Sequence, residues 1–188
     1  MLDVCTGGEQ PASHYQPDKL IEKFDALKTH FTAGEFYEKM LYYRLLLDYY
    51  TIRRDIKDGQ GNYSLILKGP KDDNDKLKQY QSMLYVSTEA FYNWLKPYLR
   101  KLEQDELQSC AEMLAFLKKE DNERHGVLPA RKDLSYKASG NIRYWFWRLD
   151  YYLWEQRSTF FNEEEQKIVG HYVFRRNPVS YTHLTLPT

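Results

Sequence analysis

Residues 35–54 are rich in apolar and aromatic side chains. The polar residues Arg44, Asp48 and Thr51, with Asp55 just beyond, recur at intervals of four, three and four. That spacing is a helical stripe, so the segment reads as one long, mostly buried helix. Upstream, Leu20, Ile21, Phe24 and Leu27 share one face after Pro17 and Asp18, which suit a first helical turn, and predict a short helix ending about Thr29. Leu77, Tyr80 and Leu84 restart the period. Phe91, Trp94, Leu95, Tyr98, Leu99 and Leu102 carry it on, with Ser87 or Thr88 as N-cap and Pro97 predicting a kink near Asn93. Leu107, Cys110, Ala111, Leu114 and Leu117 predict a further amphipathic helix, with Cys110 as a small core residue.

Residues 141–157, NIRYWFWRLDYYLWEQR, hold the densest aromatic run. Arg143, Asp150 and Arg157 form one heptad-spaced stripe and Arg148 and Glu155 another, so a central helix is expected. Asn162 and Glu165 have capping-box spacing before Ile168, and residues 170–176, GHYVFRR, read as a strand. Between these elements, residues 57–74 are a Gly-rich, charged excursion in which 63–67 is either a strand or a tethered loop. Residues 120–140 form a long polar connection, of the kind that is functional, disordered or wrongly assigned. The sum is a mainly α, multi-helix, bundle-like chain with one short C-terminal strand.

Composition narrows the class. Seventeen Tyr, nine Phe and four Trp stand beside a mean hydropathy of -0.75, the profile of helices packed through large rings with polar tips. Twenty-seven basic and twenty-seven acidic residues cancel, so any nucleic-acid contact has to come from a local patch. Cys5 and Cys110 stand far apart, outside any CxxC pair, which argues against a disulfide framework or zinc cage and points to a reducing cytoplasm. No run of 18 apolar residues is present, and residues 1–10 lack the basic start and apolar stretch of a signal peptide; a soluble protein is the reading.

Candidate chemistry is sparse. Pro17-Asp18, with the acidic and lysine residues that follow, could suggest the carboxylate pair and lysine of a metal-dependent nuclease. Those groups need a strand hairpin, however, and these lie in a helical pattern. Gly7-Gly8 and Gly59-x-Gly61 lack the GK[ST] ending of a phosphate loop and read as turns. His14, His30, His125 and His171 show no metal-ligand spacing, and no Ser or Cys occupies a nucleophile turn. Trp145, Trp147 and Trp154 could stack bases, but at helical spacing they read more plainly as core, with Arg143 one turn from Trp147 for a cation–π contact. Arg53 and Arg54 fit a helix C-terminus. Arg175 and Arg176 are the candidate DNA contacts, a solvated strand end being the plainer reading.

Three segments carry a family likeness. QSMLYVSTEAFYNWL (81–95), RYWFWRLDYYLWEQR (143–157) and HYVFRRN (171–177) resemble the helical middle and late region of bacterial GmrSD-type restriction endonucleases. The resemblance implies a parent with a ParB-like nucleotide-binding domain, a helical region and a C-terminal His-Asn-His nuclease that cleaves modified phage DNA with a nucleotide and a divalent metal. In that family the last strand leads into an acidic-His-aliphatic-x-Pro segment; here Pro178-Val179-Ser180-Tyr181 follows, so no catalytic residue carries over. VSYTHLTLPT (179–188) resembles the translation of a transposase sequencing adapter. The expected organisation is therefore 1–16 as a loop or upstream remnant, 17–157 as the helical region, 158–177 as the start of a truncated nuclease domain, and 178–188 as an adapter-derived artefact. The corresponding function is a helical scaffold fragment of a modification-dependent endonuclease, inactive by itself. The rivals are a helical protein-interaction module without catalysis and an unrelated enzyme with its site in 120–140.

Overall fold

The computed structural model describes residues 20–27, 31–56, 63–71, 74–87, 91–132, 134 and 139–174. Among them the chain forms helices α1 (Leu20–Leu27) and α2 (Ala33–Tyr50), strands β1 (Arg53–Ile56) and β2 (Tyr63–Ile66), then α3 (Asp75–Val86), α4 (Phe91–Glu103), α5 (Cys110–His125), α6 (Ser139–Glu155), α7 (Arg157–Phe160) and α8 (Glu163–Gly170). The protein is mainly α, and β1 and β2 pair in a two-stranded sheet.

Helix starts follow side-chain chemistry. Thr32, Ser109 and Asn162 cap α2, α5 and α8, each in a reciprocal capping box with Glu35, Glu112 or Glu165. Each box satisfies backbone N–H groups that the first turn leaves without an intrahelical partner. The Asn162 box is the one expected from its spacing; Thr32 and Ser109 carry the same spacing.

The chain packs as two compact units, one containing α1, α2, α4 and α5 with residues Leu67–Leu77, the other containing the strands from Arg54, α3 from Lys78, and α6 to α8. In the first unit α4 packs against both α2 and α5. Its core is Tyr43, Leu46, Ile52, Leu77, Trp94, Tyr98, Leu99, Leu102, Met113 and Leu117, all buried. The polar tips of its tyrosines are used: Tyr43 Oη donates to Glu103, and Tyr98 Oη donates to the Tyr50 carbonyl over 3.3 Å. In the second unit α7 packs against α6 and α8. Its core holds Leu65, Tyr80, Met83, Leu84, Val86, Tyr144, Trp145, Tyr151, Trp154 and Phe174. Tyr80 meets Tyr151 edge to face at 4.9 Å, and Tyr172 Oη donates to Asp150 Oδ2 at 2.8 Å. Apolar ring bodies inside with hydroxyls on carboxylates explain how a polar chain carries so many aromatics.

The structure departs from several expectations. The helix expected over 35–54 stops at Tyr50, where Thr51 turns extended and donates its Oγ1 to the Leu47 carbonyl at 2.6 Å. Only Tyr43 and Leu46 of α2 are buried, whereas Tyr37, Met40, Leu41, Tyr42, Leu45 and Tyr49 are exposed. The polar stripe implies a single wet face, but one neighbouring layer covers only one side of a helix. Within 57–74, the 63–67 run is a strand over Tyr63–Ile66, and its partner is Arg53–Ile56, a segment that the helical periodicity overruns. Ser87 does not open the next helix; its Oγ donates to the Leu84 carbonyl at 2.7 Å at the end of α3, and Thr88 lies outside the described residues. The 120–140 connection shrinks at both ends, since α5 runs to His125 and α6 starts at Ser139. Of the strand expected over 170–176, Gly170 ends α8, His171 is a turn and 172–174 form no strand; 175–176 lie outside the described residues.

Candidate functional site

The described residues place a groove of about 370 Å3 in the first unit, lined by Lys96, Pro97, Arg100, Lys101 and Gln104 of α4 and its C-terminal turn, with Phe116 and Glu120 of α5. Helical geometry assembles it. Lys96, Arg100 and Gln104 stand at i, i+4 and i+8, and Pro97 and Lys101 form the adjacent row, so one side of α4 presents three cations in succession. The opposite side, Trp94, Tyr98, Leu99 and Leu102, is buried and fixes the helix rotation. Across the groove, Phe116 and Glu120 are one turn apart on α5, and the Phe116 ring stacks on Tyr98 at 6.4 Å with an interplanar angle of 25°. The floor is thus a supported aromatic ring and one wall is cationic. Lys101 Nζ pairs with Glu106 Oε2 at 2.6 Å, a half-exposed contact of the kind that contributes little to stability and exchanges easily. Lys96, Arg100 and Lys101 line the same groove as Glu120. An anion with an apolar or planar neighbour suits that arrangement.

Other candidates resolve differently. Arg53 and Arg54 sit on β1, not at a helix end, and the Arg54 guanidinium lies over Tyr63 at 4.7 Å and Tyr85 at 5.5 Å. A strand here turns the macrodipole argument into a cation–π clamp. Trp145 and Trp154 are buried and Trp147 is half-buried, so this group belongs mainly to the core and offers no platform for bases. Cation–π contacts on this helix are made by Arg148 over Trp145 at 5.0 Å and by Arg157 over Trp154 at 5.0 Å. Arg143 is exposed.

His125 Nδ1 lies 3.2 Å from Asp121 Oδ1, a carboxylate that is 1% exposed. Arg124 places positive charge at the C-terminus of α5, where the helix dipole favours it. His171 Nδ1 meets the Lys167 carbonyl at 2.6 Å at the end of α8. Cys110 is a free thiol in the first turn of α5 and only half-buried, because Met113, Leu117 and Asp121 are the residues this helix buries. Among the described residues no three His, Cys, Asp or Glu side chains could jointly hold a metal ion, and no helix is long and apolar enough to cross a membrane. Arg175, Arg176, Pro17, Asp18, His14, His30, Gly7, Gly8, Gly59 and Gly61 lie outside the described residues.

Sequence reasoning missed Lys96, Arg100 and Lys101. The signal existed as K-x-x-x-R-K in an otherwise apolar helix, but a basic row becomes a site only when a second helix supplies the facing wall. Compared with protein-family models, curated proteins and solved structures, the chain finds no match.

Proposed function

We propose that this chain is helical scaffold of a modification-dependent DNA restriction endonuclease, and that the groove between α4 and α5 is where it touches the phosphate backbone. The likeness of residues 81–95 and 143–157 to the helical region of GmrSD-type enzymes supports the scaffold reading; both segments lie largely within α3, α4 and α6. The observation that carries the contact is the Lys96, Arg100 and Lys101 row facing Phe116. Cations spaced by one helical turn follow a phosphate chain, and such contacts position DNA without reading its sequence. On this reading the divalent metal and the nucleotide act elsewhere in the parent enzyme, as do the catalytic residues. Arg175 and Arg176 remain further candidate contacts.

Fluorescence anisotropy with a labelled duplex tests the contact. Each phosphate neutralised contributes about 0.9 to the slope of log K against log salt. Lys96→Ala, Arg100→Ala and Lys101→Ala combined should lower that slope by roughly 2 to 3 units and weaken binding at least tenfold, while an unchanged slope removes the groove from the interface. Purified residues 1–177 should show no metal-dependent cleavage of modified DNA; cleavage that survives repurification overturns the scaffold reading.

A further inference from the structure

Helix α2 is apolar on two opposite sides. Tyr43 and Leu46 are buried in the first unit, whereas Tyr37 is 63% exposed, Leu41 60%, Leu45 58%, Tyr49 40% and Tyr42 43%. Tyr37, Leu41 and Leu45 stand at i, i+4 and i+8, one stripe turned away from the buried side, and Tyr49 at i+12 extends it with one part of its ring resting against Gly69. A second side of large apolar residues on one helix is a surface that a second partner can cover. Charge edges the stripe: Arg44 Nε and Asp48 Oδ2 pair at 2.8 Å along one flank, and Glu38 with Tyr42 follows the other. An apolar strip with a polar rim is the composition of an interface rather than of ordinary surface.

We infer that the occupant of this face is α2 of a second copy of the chain, laid antiparallel across it. The flanking charges select that partner. When a two-fold axis pairs a helix antiparallel with itself, each flank meets the same flank of the other copy, so a cation and an anion four residues apart on one flank become mutually complementary. With the axis near Leu45, Leu45 meets its own counterpart, Leu41 lies opposite Tyr49 of the second copy, and Arg44 comes within one turn of the second copy's Asp48. The intrahelical pair is thereby exchanged for two intermolecular ones. Parallel pairing would bring opposite flanks together and leave both members of this pair without that exchange.

The area is sufficient. Given the 150–250 Å2 carried by a large side chain, the five exposed residues offer on the order of 500 Å2 per copy. The pair then buries roughly 1,000 Å2 before the flanking charges are counted, at the threshold for a specific contact. The dimer is therefore a weak one, with dissociation in the micromolar range. It does not depend on the nucleic-acid reading.

Sedimentation velocity of the full chain from about 1 to 200 μM should show a reversible monomer–dimer equilibrium. Leu45→Glu, at an exposed position, should abolish it while leaving the helical circular dichroism intact. Arg44→Asp and Asp48→Arg each place like charges together and should each weaken association about tenfold. An equimolar mixture of the two should dimerise again, because the carboxylate introduced at position 44 of one variant then faces the guanidinium introduced at position 48 of the other. A chain that stays monomeric at the top concentration overturns the inference. So does a dimer that survives Leu45→Glu, or a mixture that associates no better than the separate variants; the first would leave α2 for a different partner, the others would place self-association on another surface.

Discussion

Helix α6 carries Trp147 and Trp154 seven residues apart, two turns along nearly the same face, yet they should differ sharply when removed. Trp154 is 5% exposed, packs beside Tyr151 at a ring distance of 6.0 Å and lies under the Arg157 guanidinium at 5.0 Å. Truncating a buried tryptophan to alanine loses its transfer free energy and leaves a cavity, about 3 to 5 kcal/mol in total. Trp147 is half-buried, so both contributions shrink and about 1.5 to 2.5 kcal/mol is expected. With a urea dependence of about 2 kcal/mol per molar, Trp154→Ala should lower the unfolding midpoint by roughly 2 M and Trp147→Ala by roughly 1 M. Far-ultraviolet circular dichroism is the suitable probe, since the substitutions remove fluorophores. A third variant isolates the ring from its polar atom. Trp154 Nε1 is buried and has no hydrogen-bond partner among the described residues. Trp154→Phe removes a donor whose burial costs about 1 to 3 kcal/mol, offsetting part of the lost area, so its net cost should stay below about 1.5 kcal/mol. If Trp147→Ala proves as costly as Trp154→Ala, the inward face of α6 has been misassigned.

Three further outcomes follow from local geometry. A Cβ at Gly69 would lie 2.2 Å from the Tyr49 ring, so Gly69→Ala should cost about 1 to 3 kcal/mol, and Tyr49→Ala in the same chain should recover part of it in a thermal unfolding series. Glu35 and Glu112 accept backbone hydrogen bonds in their capping boxes, which hold both carboxyls below 4.5; their contribution is full above that value and fades as pH falls through the lowered range. Replacing both by Gln should flatten this acid limb, and an unaltered limb would show that the boxes do not form in solution. Burial, reinforced by hydrogen bonds to Glu155 and Asp150, pushes the Tyr151 and Tyr172 hydroxyls well above the usual 10.0. Folding therefore favours their neutral forms: the stability they provide is complete below about pH 10 and is lost as pH rises beyond it. Absorbance titration at 295 nm should find Tyr151 and Tyr172 among the tyrosines that ionise only on alkaline unfolding, with one fewer such tyrosine in Tyr172→Phe.

Local chemistry alone determined much of this protein. The 3.6-residue spacing of Leu77, Tyr80 and Leu84, and of Trp94, Tyr98 and Leu102, located α3 and α4, although α3 is buried all round from Tyr80 to Leu84. Asn162 and Glu165 marked the start of α8 because a capping box is complete within four residues. The wealth of tyrosine likewise announced ring-packed helices with wet tips. Only tertiary structure decided how much of α2 is covered: Tyr43 and Leu46, on the side away from the Arg44 and Asp48 stripe, are buried, while Tyr37, Leu41 and Leu45 beside that stripe stay exposed. The pairing of Arg53–Ile56 with Tyr63–Ile66 was hidden for a related reason: the polar stripe of α2 continues in phase through Thr51 and Asp55, and a strand is defined by its neighbour. The cationic groove belongs to the same class. Lys96, Arg100 and Lys101 are an ordinary wet helix face until α5 sets Phe116 and Glu120 across from them, and that juxtaposition of residues distant in the chain is a property of packing.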